Sequence, residues 1–204
     1  MSEHVCKVYG DSRSGNCYKI KLLCAELDIA YAWREVDILA GETRTPEFFA
    51  MNANGRIPLL ALPDGRYLAE SNAILCFLAG DDGIAGEDAY ARAQVLQWMF
   101  FEQYSHEPYI ATSRFIIQYL GNPADRRASL EEKRVGGYQA LDVMEQQLGD
   151  APFMTGDRYT LADIALYAYT HVADEGGFDL AAYPAIRAWL GRIAQRPRYV
   201  PMNA

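Results

Sequence analysis

The chain has 204 residues, of which 50% are hydrophobic, and a formal net charge of -8. This composition suits one or two globular domains, and an acidic chain without clustered Lys or Arg argues against nucleic acid or an anionic membrane as the main partner. No apolar run reaches the roughly 18 residues of a membrane-spanning helix and no secretory signal opens the chain, so we expect a cytoplasmic protein.

The four cysteines and three histidines show no spacing typical of a metal site or a disulfide scaffold. Free thiols suit a reducing compartment. We therefore expect no metal site and no bound cofactor.

From Val5 to Ala79, short strand-like runs alternate with amphipathic helices. The order βαβαββα predicts a small mixed sheet with helices on its faces, which is a thioredoxin-like α/β arrangement. The predicted elements are strands over 6–9 and 32–36, helices over 14–27 and 46–51, a hairpin of 57–62 with 66–68, and a helix over 71–79.

From about Asp88 onward, every periodic segment predicts a helix. A helix over 90–120 should kink or break at Pro108, which lacks an N–H, and a second helix should cover 130–148. A capping box, Thr160 to Asp163, begins a third. We predict a domain over 1–80, a Gly- and Asp-rich linker over 81–87 and an all-α domain over 88–204.

A proline stands at the start of an apolar strand, in the run Arg56-Ile57-Pro58-Leu59-Leu60. Proline cannot donate to a β-ladder, so Pro58 could simply begin an edge strand. If its peptide bond is cis, the backbone of Ile57 can offer its N–H and C=O to an extended peptide ligand.

Glu70 and Ser71 precede the predicted helix over 71–79. Capping alone would explain Ser71. However, a helix N-terminus also attracts a carboxylate, and Glu70 could bind an ammonium, so the pair matches the head group of an α-amino acid.

The loop from Asp11 to Lys19 joins the first strand to the first helix. Ser12 or Ser14 can cap that helix. A hydroxyl and amide groups at a helix N-terminus can also stabilise a thiolate supplied by another molecule, which lowers the pKa of that thiol.

These three features, in this order, resemble the cytosolic glutathione transferase superfamily, closest to its serine-type, theta-like and bacterial members. The resemblance covers essentially the whole chain. It is carried by the Ser14-Gly15-Asn16-Cys17-Tyr18-Lys19 segment, the 37–44 stretch, the 54–58 run, the Glu70-Ser71 pair and the capping box.

The resemblance implies a glutathione site on the first domain and a homodimer. Ile57, before Pro58, would pair with the cysteinyl unit, and Glu70 with Ser71 would hold the γ-glutamyl head. The glycyl carboxylate would contact Arg44 or Arg56. Ser14 would activate the thiol, with Asn16 as a second donor.

Two residues leave alternatives open. Tyr9 ends the first strand, close to where tyrosine-type members place their activating phenol. Cys17 matches the cysteine of members that exchange thiols and disulfides, although in the first helical turn it is expected to point inward as a small hydrophobe.

The resemblance implies a transferase in which the glutathione thiolate attacks a small hydrophobic electrophile. Tyr104, Ser105 and Tyr109 are the candidates for the electrophile pocket, on a helix whose other aromatic residues belong to the core. The alternatives are glutathione-dependent reduction of disulfides or peroxides, and a non-catalytic module that binds glutathione or another ligand.

Overall fold

A computed structural model describes residues 5–203. Residues 1–4, which include His4, and residue 204 lie outside the described part, and with them the outer ends of the two predicted domains. The chain divides into two compact units: one contains the described residues up to Gly80 and those from Arg198 onward, and the other spans Asp81–Pro197.

The first unit is built on a mixed sheet of four strands in the order β2-β1-β3-β4. Strand β1 pairs parallel with β2 and antiparallel with β3, and β3 pairs antiparallel with β4. The strands are β1 Cys6–Gly10, β2 Tyr31–Glu35, β3 Leu59–Ala61 and β4 Tyr67–Ala69, and the helices are α1 Gly15–Glu26, α2 Pro46–Met51 and α3 Ser71–Ala79. The predicted thioredoxin-like α/β fold is confirmed.

Helices α2 and α3 have the predicted bounds. At α2, the Thr45 side chain accepts a hydrogen bond from the amide of Phe48, and Pro46 occupies the first turn, where its missing N–H costs nothing. Helix α1 begins one residue later than predicted because Ser14 is its N-cap residue.

The last described residues pack with the first unit, although the predicted helical domain extended to residue 204. The Tyr18 hydroxyl donates to the carbonyl of Val200 at 2.7 Å, and Lys21 Nζ donates to that of Met202 at 3.4 Å. These bonds, together with the burial of Met202, explain why the terminal segment groups with α1.

The second unit is helical, as predicted. Its helices are α4 Ala89–Phe101, α5 Ile110–Arg114, α6 Arg127–Asp150, α7 Leu161–Thr170 and α8 Pro184–Ala194, with π-helical turns at Glu102–His106 and Phe115–Tyr119. The helix predicted over 90–120 is divided near Pro108, and α8 was not predicted. No helix in the described part of the chain is long and apolar enough to cross a membrane.

The capping box at α7 anchors this unit. The Asp163 carboxylate, 0% exposed, accepts the amides of Thr160 and Met154 and the indole N–H of Trp189, each at 2.9 Å. Every residue of α7 is buried. The box therefore joins the start of the most buried helix to α8 and to the loop before α7.

Candidate functional site

The loop between β1 and α1 is held by an ion pair. Arg13 donates to the buried carboxylate of Asp11 from its backbone amide at 2.8 Å and from its guanidinium at 3.2 and 3.1 Å. The amide of Ser14 donates to the carbonyl of Asp11 at 2.9 Å. These bonds fix Ser14 at the start of α1, where it accepts the amide of Cys17 at 3.4 Å.

The two serines of this loop have different hydrogen-bond partners. Ser12 donates its hydroxyl to Glu35 at 3.0 Å, and its amide donates to the same carboxylate oxygen at 2.8 Å. The hydroxyl of Ser12 is thus directed to β2. Ser14, which is half-buried, is the serine at the helix N-terminus.

Cys17 lies in the protein interior, with 0% of its surface exposed. Burial raises the pKa of its thiol to about 12, although a hydrogen bond with the Ser14 side chain opposes the change. A neutral, enclosed thiol is a poor nucleophile, because the thiolate is the reactive form.

Tyr9 packs against α2. Its ring meets that of Phe48 edge-on at 6.5 Å and belongs to the cluster around Val36, Phe48 and Leu59, and the Arg34 guanidinium lies 5.7 Å from its centroid. Along β1, successive side chains alternate between the faces of the sheet. The Tyr9 ring thus occupies the α2 side, opposite to buried Val8.

The start of α3 carries a strained residue. Glu70 is exposed and has φ 67° and ψ 112°, in the left-handed half of backbone space that residues other than glycine rarely adopt. Such strain costs about 1–3 kcal/mol and concentrates at functional sites. Glu70 is the N-cap residue of α3 and makes no side-chain cap hydrogen bond, whereas Ser71 is the first helical residue and not the cap that the sequence indicated. An acidic residue and the amide end of α3 are thus adjacent in the chain, as an amino-acid head group requires.

A polar network connects the starts of α1 and α3. The Ser71 hydroxyl donates to Asn16 Oδ1 at 3.3 Å. Lys19, which is 0% exposed, donates from Nζ to the Ser71 hydroxyl and to Asn72 Oδ1, both at 3.2 Å. Neither Lys19 nor Asn72 was predicted as a site residue. A lysine in a helix ordinarily predicts a solvent-exposed charge.

The peptide bond between Ile57 and Pro58 is cis. Leu59 pairs with Ala69, which places Ile57 near the start of α3. Among residues 5–203, neither the amide nor the carbonyl of Ile57 has a backbone hydrogen-bond partner. Both groups can therefore pair with an extended ligand.

The two candidate arginines are exposed and lie near one loop. The Arg44 guanidinium packs against Gly55, where a Cβ would come within 2.8 Å of it, and sits 6.0 Å from the ring centroid of Phe49. Arg56 follows Gly55, and its carbonyl accepts the Asn52 side-chain amide at 2.8 Å. Both cations can reach an anion near this loop.

The residues predicted for the electrophile pocket lie in the second unit. Tyr104 is 82% exposed in the π-helical turn, Ser105 is half-buried beside it, and Tyr109 caps α5. The Tyr109 ring packs on Gly136, where any Cβ would approach within 2.4 Å. Tyr104 is therefore available for contact, while Tyr109 is held in place by α6.

Comparison with known proteins identifies the family. The Glutathione S-transferase N-terminal domain matches residues 13–80, and the Glutathione S-transferase C-terminal domain matches residues 97–197. Glutathione S-transferase F10 of Arabidopsis thaliana is 32% identical over 192 residues, covering 88% of this chain and 87% of its own. The chain belongs to the glutathione S-transferase family.

Two further relatives are informative. A crystal structure of a glutathione S-transferase from Pseudomonas fluorescens Pf-5 is 58% identical, covers 97% of this chain and 98% of its own, and superposes with a TM-score of 0.95. The disulfide-bond oxidoreductase YfcG of Escherichia coli K12 is 30% identical over 189 residues, covering 89% of this chain and 87% of its own. The chain is thus similar to a protein that is named for a different chemistry.

Proposed function

We propose that this protein is a serine-type glutathione transferase. In this proposal, the tripeptide pairs with Ile57, and Glu70 and Ser71 hold its γ-glutamyl head. Arg44 or Arg56 contacts the glycyl carboxylate, and the sulfur lies at the start of α1. The observation that carries the proposal is the N-cap position of Ser14, beside a Cys17 that burial keeps neutral.

The chemistry requires a thiolate at neutral pH. A free thiol has a pKa near 8.5, and a donor hydroxyl together with the N-terminal amides of a helix stabilises the anion. The Ser14 oxygen accepts the Cys17 amide, so its hydroxyl proton can be donated to the ligand sulfur. The thiolate then attacks the electrophile, a carbon–sulfur bond forms, and the leaving group departs with its electron pair.

The test is Ser14→Ala, with Ser12→Ala as the matched control. Loss of one hydrogen bond to a charged sulfur should reduce kcat with an aryl halide by about 10- to 100-fold while glutathione affinity is mostly retained. Ser12→Ala, whose hydroxyl is directed to Glu35, should keep near-normal turnover. Equal turnover in both variants would remove Ser14 from this role and leave Asn16 or Tyr9 as the donor.

The similarity to YfcG supports a second candidate, glutathione-dependent reduction of disulfides or peroxides. In that reaction the glutathione thiolate attacks a disulfide sulfur, and the other sulfur leaves as a thiolate. Rates on an aryl halide and on a mixed disulfide of glutathione separate the two activities. Because Cys17 is buried and neutral, we expect Cys17→Ser to keep the disulfide activity. Loss of that activity in Cys17→Ser would instead assign the disulfide chemistry to Cys17.

A non-catalytic binding module is the remaining alternative. Retention on immobilised glutathione without turnover of an aryl halide, a mixed disulfide or a hydroperoxide would favour it.

For the electrophile, we propose Tyr104, Ser105 and Tyr109 as contacts and a small hydrophobic molecule as the substrate. Tyr104→Ala should then raise KM for the aryl halide and leave KM for glutathione unchanged.

A further inference from the structure

Lys19 is a charged residue in an unusual place. It lies on α1, three residues after Asn16, and none of its surface is exposed. Residues three apart share a helix face, so Asn16 and Lys19 both face the start of α3. Burying an ammonium is costly unless polar groups surround it, so an apolar side chain would fill this position with less penalty.

The hydrogen bonds of Lys19 determine where the Ser71 hydroxyl proton points. A hydroxyl has one proton and two lone pairs, and an ammonium can only donate. Because Lys19 donates to the Ser71 oxygen, the Ser71 proton must go elsewhere, and it goes to Asn16 Oδ1. The chain of donors therefore runs from α1 to α3 and back to α1.

Two members of this chain, Ser71 and Asn16, lie beside groups of glutathione in the proposed function, on which the following inference rests. Ser71 stands at the γ-glutamyl carboxylate, and Asn16 stands near the sulfur. An ammonium that donates to a hydroxyl oxygen strengthens that hydroxyl as a donor, here to Asn16 Oδ1. A buried charge is also poorly screened by salt, so it acts on nearby anions more strongly than a surface lysine does.

We propose that Lys19 is a positioning residue that couples the γ-glutamyl carboxylate and the thiolate of bound glutathione. It holds the Ser71 hydroxyl as a donor to Asn16 Oδ1, which directs the Asn16 NH2 group toward the thiolate, and its charge attracts the γ-glutamyl carboxylate at the amide end of α3. Its charge favours the ionised form of both ligand groups without touching either one.

The experiment compares Lys19→Met with Lys21→Met. Methionine is unbranched like lysine and lacks only the position of the terminal nitrogen, so it keeps most of the side-chain length and removes the charge. Lys21 lies on the same helix, and its ammonium contacts the Trp33 ring at 4.8 Å and the Met202 carbonyl, so the control changes the net charge equally without entering the network. Thermal unfolding and circular dichroism verify that both variants are folded.

Two measurements are made on each variant. Calorimetry with S-methylglutathione, which has no thiol to ionise, reports the contribution of the carboxylates. The ultraviolet absorbance of the thiolate against pH reports the pKa of bound glutathione. Relative to Lys21→Met, Lys19→Met should weaken S-methylglutathione binding about tenfold and raise the thiol pKa by about 0.5–1 unit.

Both changes are required, and a Lys19→Met variant that matches Lys21→Met in either quantity overturns the proposal. Lys19→Arg, which keeps the charge, should restore at least the carboxylate affinity. If Lys19→Met does not fold, Lys19→Gln takes its place under the same criteria. Failure of the wild-type protein to bind either ligand would instead refute the proposed function, so the two failures are distinguishable.

Discussion

At the scale of single residues, Glu70 shows how a binding role can oppose stability. Its positive φ is unfavourable for any side chain with a Cβ, whereas glycine adopts this conformation readily. The Glu70 side chain makes no capping hydrogen bond at the start of α3, so helix capping does not explain a glutamate here. The proposed contact between the Glu70 carboxylate and the γ-glutamyl ammonium gives a reason for tolerating the strain.

We therefore predict that Glu70→Gly stabilises the protein and weakens glutathione binding. Relief of about 1–3 kcal/mol of strain exceeds the added freedom of glycine in the unfolded chain, so unfolding in urea should show a net gain of about 1 kcal/mol. Calorimetry should show at least about a tenfold loss of affinity for glutathione.

Glu70→Ala is the matched control, because it removes the carboxylate but keeps the Cβ. It should lose affinity as Glu70→Gly does, without the gain in stability. If both variants bind glutathione as the wild type does, Glu70 has no part in the ligand site, and the strain needs another explanation.

Lys19 and Ile57 show where sequence reasoning stops at this scale. Pro58 was the sequence signal for a binding role of the Ile57 backbone, because a proline at a strand start has few structural explanations. Lys19 carried no such signal. Its burial depends on α3 lying beside α1, and that packing is set by residues far away in the chain.

At the scale of elements, the sequence predicted best the bounds of those elements whose end residues have a strong structural preference. Helix α2 has Thr45 and Pro46 at its start, and its bounds agree with the prediction. The bounds of α3 also agree, although its N-cap residue is Glu70 and not Ser71. Strand β3 begins at Leu59 and not at Ile57, because pairing with β4 starts only at the Leu59–Ala69 pair. Helix α8 escaped prediction although Pro184 marks its first turn.

The capping box of α7 permits a prediction about pH. Burial raises the pKa of Asp163 from 3.8 to about 6, although hydrogen bonds from Met154, Trp189 and Thr160 oppose the change. The folded state then binds this proton more tightly than the unfolded state, so the contribution of Asp163 to stability falls as pH rises from about 4 to about 6 and is constant above. A shift of about 2 units corresponds to about 3 kcal/mol.

The measurement is urea unfolding between pH 4 and 7, with the wild type compared to Asp163→Asn and to Asp157→Asn, an exposed aspartate of the preceding loop. Asp163→Asn should be less stable at every pH, because its NH2 group cannot accept the Thr160 amide. It should also lose the part of the pH dependence that wild type and Asp157→Asn share. Three parallel curves would show that Asp163 does not titrate in this range.

At the scale of the whole molecule, the two units carry different parts of the proposed reaction. All residues proposed for glutathione belong to the first unit, and those proposed for the electrophile belong to the second. Family membership follows from matches to both units. The electrophile is harder to infer because side chains such as Tyr104 define a surface without a fixed motif, and function depends on sites more than on folds.

The assembly of the molecule is also open to test. We propose a homodimer, as the family resemblance implies, and α4 offers a surface for it. The side of α4 that bears Val95 and Met99 is buried, while Tyr90 and Phe100 are 74% and 62% exposed. Large exposed aromatic side chains on one helix are typical of protein interfaces, where they become buried.

We predict that the wild type sediments as a dimer and that a Tyr90→Glu, Phe100→Glu double variant sediments as a monomer. A dimer would bring the introduced carboxylates into a desolvated interface, where unpaired charge costs several kcal/mol. Val135→Glu, at a 62% exposed apolar position of α6, adds one carboxylate outside this surface and should remain dimeric. A monomeric wild type would refute the homodimer, and a dimeric double variant would move the interface away from α4.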